Sequence, residues 1–278
     1  MTKHTLAFLS VLFALGCGGA DSSSTESVVS ATAGDETAAD PFEAVLAGAH
    51  RSEEDRARDR YRHPRETLEF FGVTPSSRVV ELWPGRGWYT AVLAPLLRES
   101  GHLTAVAPDN RYLEGYREVL SAHPDVYDRV ELVVVQPQDG AELSFGPDGS
   151  ADVVLTFRNF HGFMNGNYED EVLAAAFRVL KPGGVLGVVE HRAAAPTDRE
   201  TVERTGYVAE QTVIEAAQAA GFVLDERSEI NANPADTRDH PHGVWSLPPT
   251  LRGGDVDRDR YLEIGESDRM TLRFRKPE

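Results

Sequence analysis

The chain has 278 residues, 45 of them acidic and 28 basic, for a formal charge of −17. That balance argues against nucleic acid as a partner, because phosphate backbones need a basic face. Cys17 is the only cysteine, so the rest of the chain has no disulfide, no thiolate nucleophile and no cysteine metal site.

At the amino terminus Lys3 precedes an apolar run, Leu6 to Leu15. The run is too short to span a bilayer and predicts a signal peptide over 1–16. Its end, Ala14-Leu15-Gly16-Cys17, resembles the lipobox of bacterial lipoproteins, although Leu is usual where Ala14 stands. That resemblance implies a lipid anchor at Cys17 as the one membrane attachment, in the cell envelope. The alternative is cleavage elsewhere and a soluble secreted protein. Residues 17–40, rich in Ser, Thr, Ala, Gly and acid, read as a flexible tether.

A single domain is expected over 41–278. Asp40-Pro41, Ser52 with Asp55, and His63-Pro64 are three helix starts within 41–77, the last helix ending at Gly72. From residue 78 strands and helices alternate, which predicts a doubly wound, mostly parallel α/β sheet. Strands are expected at 78–82, 102–107, 130–135, 152–157, 184–190, from Phe222, and at 269–275. Helices are expected at about 87–100 and 208–220. The connection at roughly 231–265 is long for a sheet, which suggests that it binds something or is disordered.

The stretch 78–90, Arg-Val-Val-Glu-Leu-Trp-Pro-Gly-Arg-Gly-Trp-Tyr-Thr, is the chemical centre of this pattern. A short apolar strand runs into Pro84, Gly85 and Gly87, and a helix pattern follows. Strand, glycine turn and helix start form a ligand cradle at the carboxyl end of a parallel sheet. A dinucleotide fingerprint needs Gly or Ala where Thr90 stands. Glu81 near the strand end can accept a bond from an ammonium group. Those features suit S-adenosylmethionine (SAM), with a nicotinamide ligand or a purely structural turn as alternatives.

Asp109, at the end of the second strand, is placed to accept both ribose hydroxyls, or to cap the next helix. Asp139, in Gln138-Asp139-Gly140, sits where an adenine amino group is read, or in a simple turn. The fourth strand ends Arg158-Asn159-Phe160-His161 and the fifth ends Glu190-His191-Arg192. Adjacent strands would bring Arg158, Asn159, His161 and His191 to one crevice mouth as catalytic candidates. The alternative is that both histidines are structural. His240 and His242, without a cysteine or clear carboxylate partner, do not make a convincing metal site, and none is expected.

Glu81-Leu-Trp-Pro-Gly-Arg-Gly is similar to the first motif of class I SAM-dependent methyltransferases. Asp109 falls at their ribose-binding acid, and Leu180-Lys-Pro-Gly-Gly at the loop before their fifth strand. Arg51-Ser52, Arg58 to Tyr61, Thr156 to His161, Glu190 to Arg192 and Asp268-Arg269 resemble a group of predicted exported bacterial methyltransferases. The resemblance covers about residues 50 to 277. It implies a seven-stranded Rossmann-like sheet whose seventh strand is antiparallel between five and six, and SAM as cofactor. Trp83-Pro84 departs from the small residues usual in that motif. The expected activity is methyl transfer to a small-molecule acceptor, which the sequence does not identify, as it does not identify the oligomeric state. The rivals are an inactive SAM- or nucleoside-binding protein and, with less support, a nicotinamide-dependent oxidoreductase.

Overall fold

The structure is a computed structural model and describes residues 40–278. The expected signal peptide, the anchor at Cys17 and nearly all of the tether lie outside the described residues.

Seven strands form one sheet: β1 Arg78–Leu82, β2 His102–Pro108, β3 Glu131–Val135, β4 Ala151–Phe157, β5 Leu180–His191, β6 Val223–Ser228 and β7 Arg269–Arg275. Their order is β3-β2-β1-β4-β5-β7-β6. The first five pair in parallel, and β7 runs antiparallel between β5 and β6. This is the expected seven-stranded arrangement, including the place of β7.

Alternation along the central strands explains the layers. Val80, Leu82, Val154, Leu186 and Val188 enter one apolar cluster, while Val79, Val153, Leu155, Val185 and Val189 enter another. Both faces of these strands are therefore buried under helices, which is why they read as continuous apolar runs. The chain reverses direction across the sheet between β1 and β4, and at such a switch point the carboxyl ends of the strands open a crevice.

Several boundaries differ from the sequence expectation. The helix expected from residue 87 to 100 spans Thr90–Leu97. Gly85 and Gly87 have φ of 61° and 75°, and left-handed residues hold the preceding segment in turns. β5 begins at Leu180, earlier than expected, and its pairing with β4 shifts between Ala151 and Val153. Four short helices, rather than three, precede β1: Pro41–Leu46, Glu53–Ala57, Asp59–Arg62 and Pro64–Phe70. Asp40 and Ser52 cap the first two through the backbone N–H groups of Phe42 and Asp55, both at 3.0 Å.

The long connection between β6 and β7 is folded. Buried Asp236 accepts bonds from the Tyr207 hydroxyl, the His240 ring and the Asp268 backbone N–H. Asp268 in turn accepts from Arg192, Arg238 and the Asn233 N–H. The connection carries one 3-10 turn, Gly243–Ser246, and one helix, Arg258–Ile264. These polar contacts, rather than a run of apolar residues, hold it over the carboxyl end of the sheet.

Candidate active site

Two cavities lie at the crevice. The first, about 320 Å³, is walled by Trp83, Pro84, Gly85, Asn110, Tyr116 and Tyr168 among others. The second, about 360 Å³, is walled by Arg158, His161, His191, Trp245, Glu266 and Ser267 among others. Tyr112 belongs to both, and the consecutive residues Arg158 and Asn159 each line one.

Local geometry explains the first cavity. A Cβ on Gly85 would meet nothing within 4 Å, so its left-handed backbone, not crowding, requires glycine. Gly87 is restricted twice: its φ is 75°, and a Cβ would lie 3.2 Å from Val119 Cγ1 and 3.3 Å from Tyr116 Cε2. Trp83 also has a positive φ, 47°, and its N–H donates to the Val106 carbonyl at 2.8 Å. Its indole packs on Phe163, Phe145 and Tyr168. The bulk that departs from the family motif thus joins the core and one cavity wall. The aromatic rings and small turn suit a flat, cationic, nucleoside-sized ligand.

The sequence-predicted cofactor residues divide. Pro84 and Gly85 line the first cavity, whereas Glu81, Gly87, Asp109 and Asp139 do not. Glu81 is buried, and its Oε2 accepts from Thr90 Oγ1 at 2.6 Å. Through that bond Glu81 braces the helix that begins at Thr90. Asp139 is exposed in a turn closed by the Ala141 N–H to Gln138 carbonyl bond, and Glu171 accepts from the Gly140 N–H. Asp109 is exposed on the rim, and its Oδ2 takes only a 3.3 Å bond from Gln136 Nε2. It caps no helix, since Asn110 Oδ1 is what accepts from the Tyr112 N–H.

Burial pushes the Glu81 carboxyl up to about 7, against the opposing effect of the Thr90 hydroxyl. An acid raised in the fold contributes stability that is fully present below its unfolded value, 4.5, and is lost as pH rises through the folded value. The difference amounts to roughly 3 kcal/mol. Glu81→Gln is therefore expected to remove a melting-temperature decline that the wild type shows between about pH 4.5 and about pH 7. It should leave affinity for S-adenosylhomocysteine unchanged. Parallel pH profiles for the two proteins, or a large affinity loss, would contradict this placement.

In the second cavity β4 and β5 bring the catalytic candidates together, with Leu82, Thr156 and Val188 in register across three strands. Asn159 does not face the chemistry with its amide N–H groups: Nδ2 donates to the carbonyls of Leu82 and Trp83 and to Thr156 Oγ1. It clamps the end of β1 to β4, and the residue lines the first cavity. His161 is the second residue of the helix Phe160–Gly166. Its Nδ1 is 3.0 Å from Glu190 Oε1. Glu190 is wholly buried; its other oxygen accepts the Phe160 and His161 backbone N–H groups, and Oε1 also accepts the His191 N–H.

Sequence reasoning placed Glu190 in a polar cluster but missed this role. Its signal was a carboxylate ending an apolar strand beside two histidines. An ionised carboxylate accepts only, so it places the His161 proton on Nδ1 and leaves Nε2 as an acceptor. Oxygens of Glu190 and nitrogens of His161 and His191 lie within 4.8 Å of one another, near enough to hold a metal. Every Glu190 oxygen is already used by N–H donors, which argues for orientation of a base rather than metal ligation. His191 Nδ1 pairs with Ser267 Oγ at 2.5 Å. Burial first, then His161 and Arg158, holds His191 well below the ordinary histidine range. It is neutral at ordinary pH and serves the cavity as an uncharged hydrogen-bonding wall.

Residues 79–184 match the family model of the methyltransferase domain. The chain is 32% identical over 127 residues to the ubiquinone/menaquinone biosynthesis C-methyltransferase UbiE of Shewanella pealeana, covering 45% of this chain and 47% of that one. It is 34% identical over 127 residues to the UbiE of Pasteurella multocida, covering 45% and 44%. The chain thus spans about half the length of the curated relatives it matches. Among solved structures, a SAM-dependent methyltransferase from Aquifex aeolicus superposes with a TM-score of 0.54 at 16% identity, over 79% of this chain and 93% of that one. The cyclase SpnF superposes with a TM-score of 0.55 at 21% identity, over 83% and 85%. The fold is that of the class I SAM-dependent methyltransferases, and the strand and glycine turn of the first cavity fall inside the matched domain.

Proposed function

We propose that this protein transfers the methyl group of SAM to a small-molecule acceptor. SAM occupies the first cavity and the acceptor the second. The observation that carries the reading is the junction of the two: a glycine-turn cavity adjoins a cavity whose histidine is oriented by a buried carboxylate. The matched methyltransferase domain supports the donor, and the curated relatives' C-methylation in quinone biosynthesis supports a small acceptor.

SAM supplies an electrophilic methyl on a sulfonium that departs as a neutral thioether. With such a donor bound, the main task of the residues would be to align the acceptor atom with that methyl. The aromatic walls hold the cation, Asn159 fixes the end of β1, and His161 Nε2 takes the acceptor's proton while Glu190 stabilises the imidazolium. The family match ends at residue 184, before His191 and the 229–268 connection, so much of the acceptor wall lies outside it.

Titration with S-adenosylhomocysteine, SAM and NAD tests the donor assignment, and NAD binding in their place would overturn it. The exposed, weakly engaged Asp109 is the residue proposed to reach the ribose hydroxyls. Asp109→Ala is expected to weaken S-adenosylhomocysteine by roughly ten- to a hundredfold without lowering the melting temperature. Normal affinity would remove Asp109 from the site. Fold alone does not imply transfer, as SpnF illustrates, and a protein that binds SAM yet turns over no acceptor would match the inactive reading.

Export and anchoring through Cys17 belong to the same proposal. Cys17→Ser is expected to move the protein out of the membrane fraction, since a multiply acylated amino terminus anchors stably. Identical fractionation of both forms would overturn lipidation.

A further inference from the structure

Arg158 follows β4 and lines the second cavity, yet among the described residues its guanidinium makes no hydrogen bond or ion pair. Its backbone is left-handed, with φ of 62°, and its N–H donates to the Val189 carbonyl at 2.7 Å. A long side chain in that region carries backbone strain, which persists where the surrounding structure fixes it, often at ligand sites.

The charge around it is unbalanced. Glu266 is the nearby carboxylate, and its oxygens already accept from Arg58 at 2.7 Å, Arg62 at 3.0 Å and Arg269 at 3.2 Å. Glu190, the other acid that acts on Arg158, is filled by N–H donors. Arg58, Arg62, Arg158 and Arg269 therefore outnumber their carboxylates. Burial, together with Arg269 and Arg58, pushes Arg158 down to about 10 against the attraction of Glu266. Arg58 Nη2 and Arg62 Nη2 are buried without an acceptor. The same cavity is also lined by the apolar residues Val244, Trp245, Pro248 and Pro249.

Resting on the acceptor-cavity reading, we propose that the second cavity selects an acceptor carrying a carboxylate on an apolar, aromatic-sized body, with Arg158 as the carboxylate's receptor. The planar guanidinium fork matches a carboxylate with two parallel bonds, and the apolar wall covers the remainder of the molecule. An anionic acceptor also answers the local charge, where a neutral one would leave the arginines uncompensated.

The same carboxylate chemistry exists in SAM, whose methionine end carries one, so the test separates the two sources. Benzoate and its neutral isostere benzamide are titrated into the full chain, with and without saturating S-adenosylhomocysteine. Benzoate is expected to bind roughly ten- to a hundredfold more tightly than benzamide. Arg158→Gln should erase that preference, and Arg158→Lys should restore part of it, while affinity for S-adenosylhomocysteine stays within a few-fold. Equal behaviour of the two probes in the wild type, absence of both included, overturns the proposal. So does a benzoate preference that survives in Arg158→Gln. Loss of S-adenosylhomocysteine in that variant with benzoate preference intact would assign Arg158 to the cofactor's carboxylate. Should the wild type prefer benzoate but bind no S-adenosylhomocysteine, the donor assignment fails while the anion site stands.

Discussion

Replacement of His161 by alanine is expected to lower turnover by about 10²- to 10⁴-fold, the range for a positioned acid or base. Affinity for S-adenosylhomocysteine should change by no more than a few-fold, because His161 lines the second cavity and not the first one. The loss should appear in kcat, since the proton is moved only as the acceptor reacts. Its neighbour tells the chemical role from a structural one. His191 is the more buried of the two and is also bonded, to Ser267, but it is held neutral and its Nδ1 pairs with a hydroxyl, not a carboxylate. A merely structural His161 would lower the melting temperature on replacement and leave activity per folded molecule unchanged. Full turnover by a folded His161→Ala protein would end the assignment of His161 as base.

The sheet was legible because its information is local and repetitive. Val79-Val80, Val153 to Leu155 and Val185 to Val189 are short apolar runs between turn residues, and burial on both faces makes such runs continuous. Gly85 and Gly87 were legible for a similar reason, since a left-handed backbone leaves glycine in the sequence. The bond between Glu81 and Thr90 was not legible, because strand position does not say which way a side chain points. Glu81 shares a face with Val79, toward the helix Thr90–Leu97, where the Thr90 hydroxyl meets it. The pairing of Glu190 with His161 joins residues 29 apart in the chain, and that of His191 with Ser267 joins residues 76 apart. Neither leaves a periodic trace. The connection at roughly 231–265 was read as binding or disordered because its order comes from Asp236 and from contacts to Asp268, polar groups whose partners are distant in sequence.

The same long-range polar contacts carry the largest expected stability effect, at Glu266. This carboxylate is buried to 3% exposure and joins Arg58 and Arg62 of the amino-terminal helices to Arg269 at the start of β7. Breaking a buried pair by removing one partner costs about 3–5 kcal/mol, because the remaining charges stay buried without compensation. Here several guanidiniums would be left, so Glu266→Gln is expected to reach that range. Arg62, already pushed down to about 9 by burial and by Arg158 and Arg58, would lose its main counter-charge. The pH dependence follows from the opposite shift: Arg62, Arg269 and Arg158 hold the Glu266 carboxyl well below the usual carboxylate range despite burial. An acid depressed in the fold contributes stability present above its unfolded value and lost as pH falls through the folded one. Wild-type stability should therefore fall steeply below about pH 4.5, while Glu266→Gln should lack that share of the decline. Hydrogen exchange should show amide protection lost first in the helices Glu53–Ala57 and Asp59–Arg62, which the ion cluster ties to the sheet. Chemical denaturation in which the variant stays within about 1 kcal/mol of wild type at neutral pH would show that solvent, not Glu266, balances these arginines.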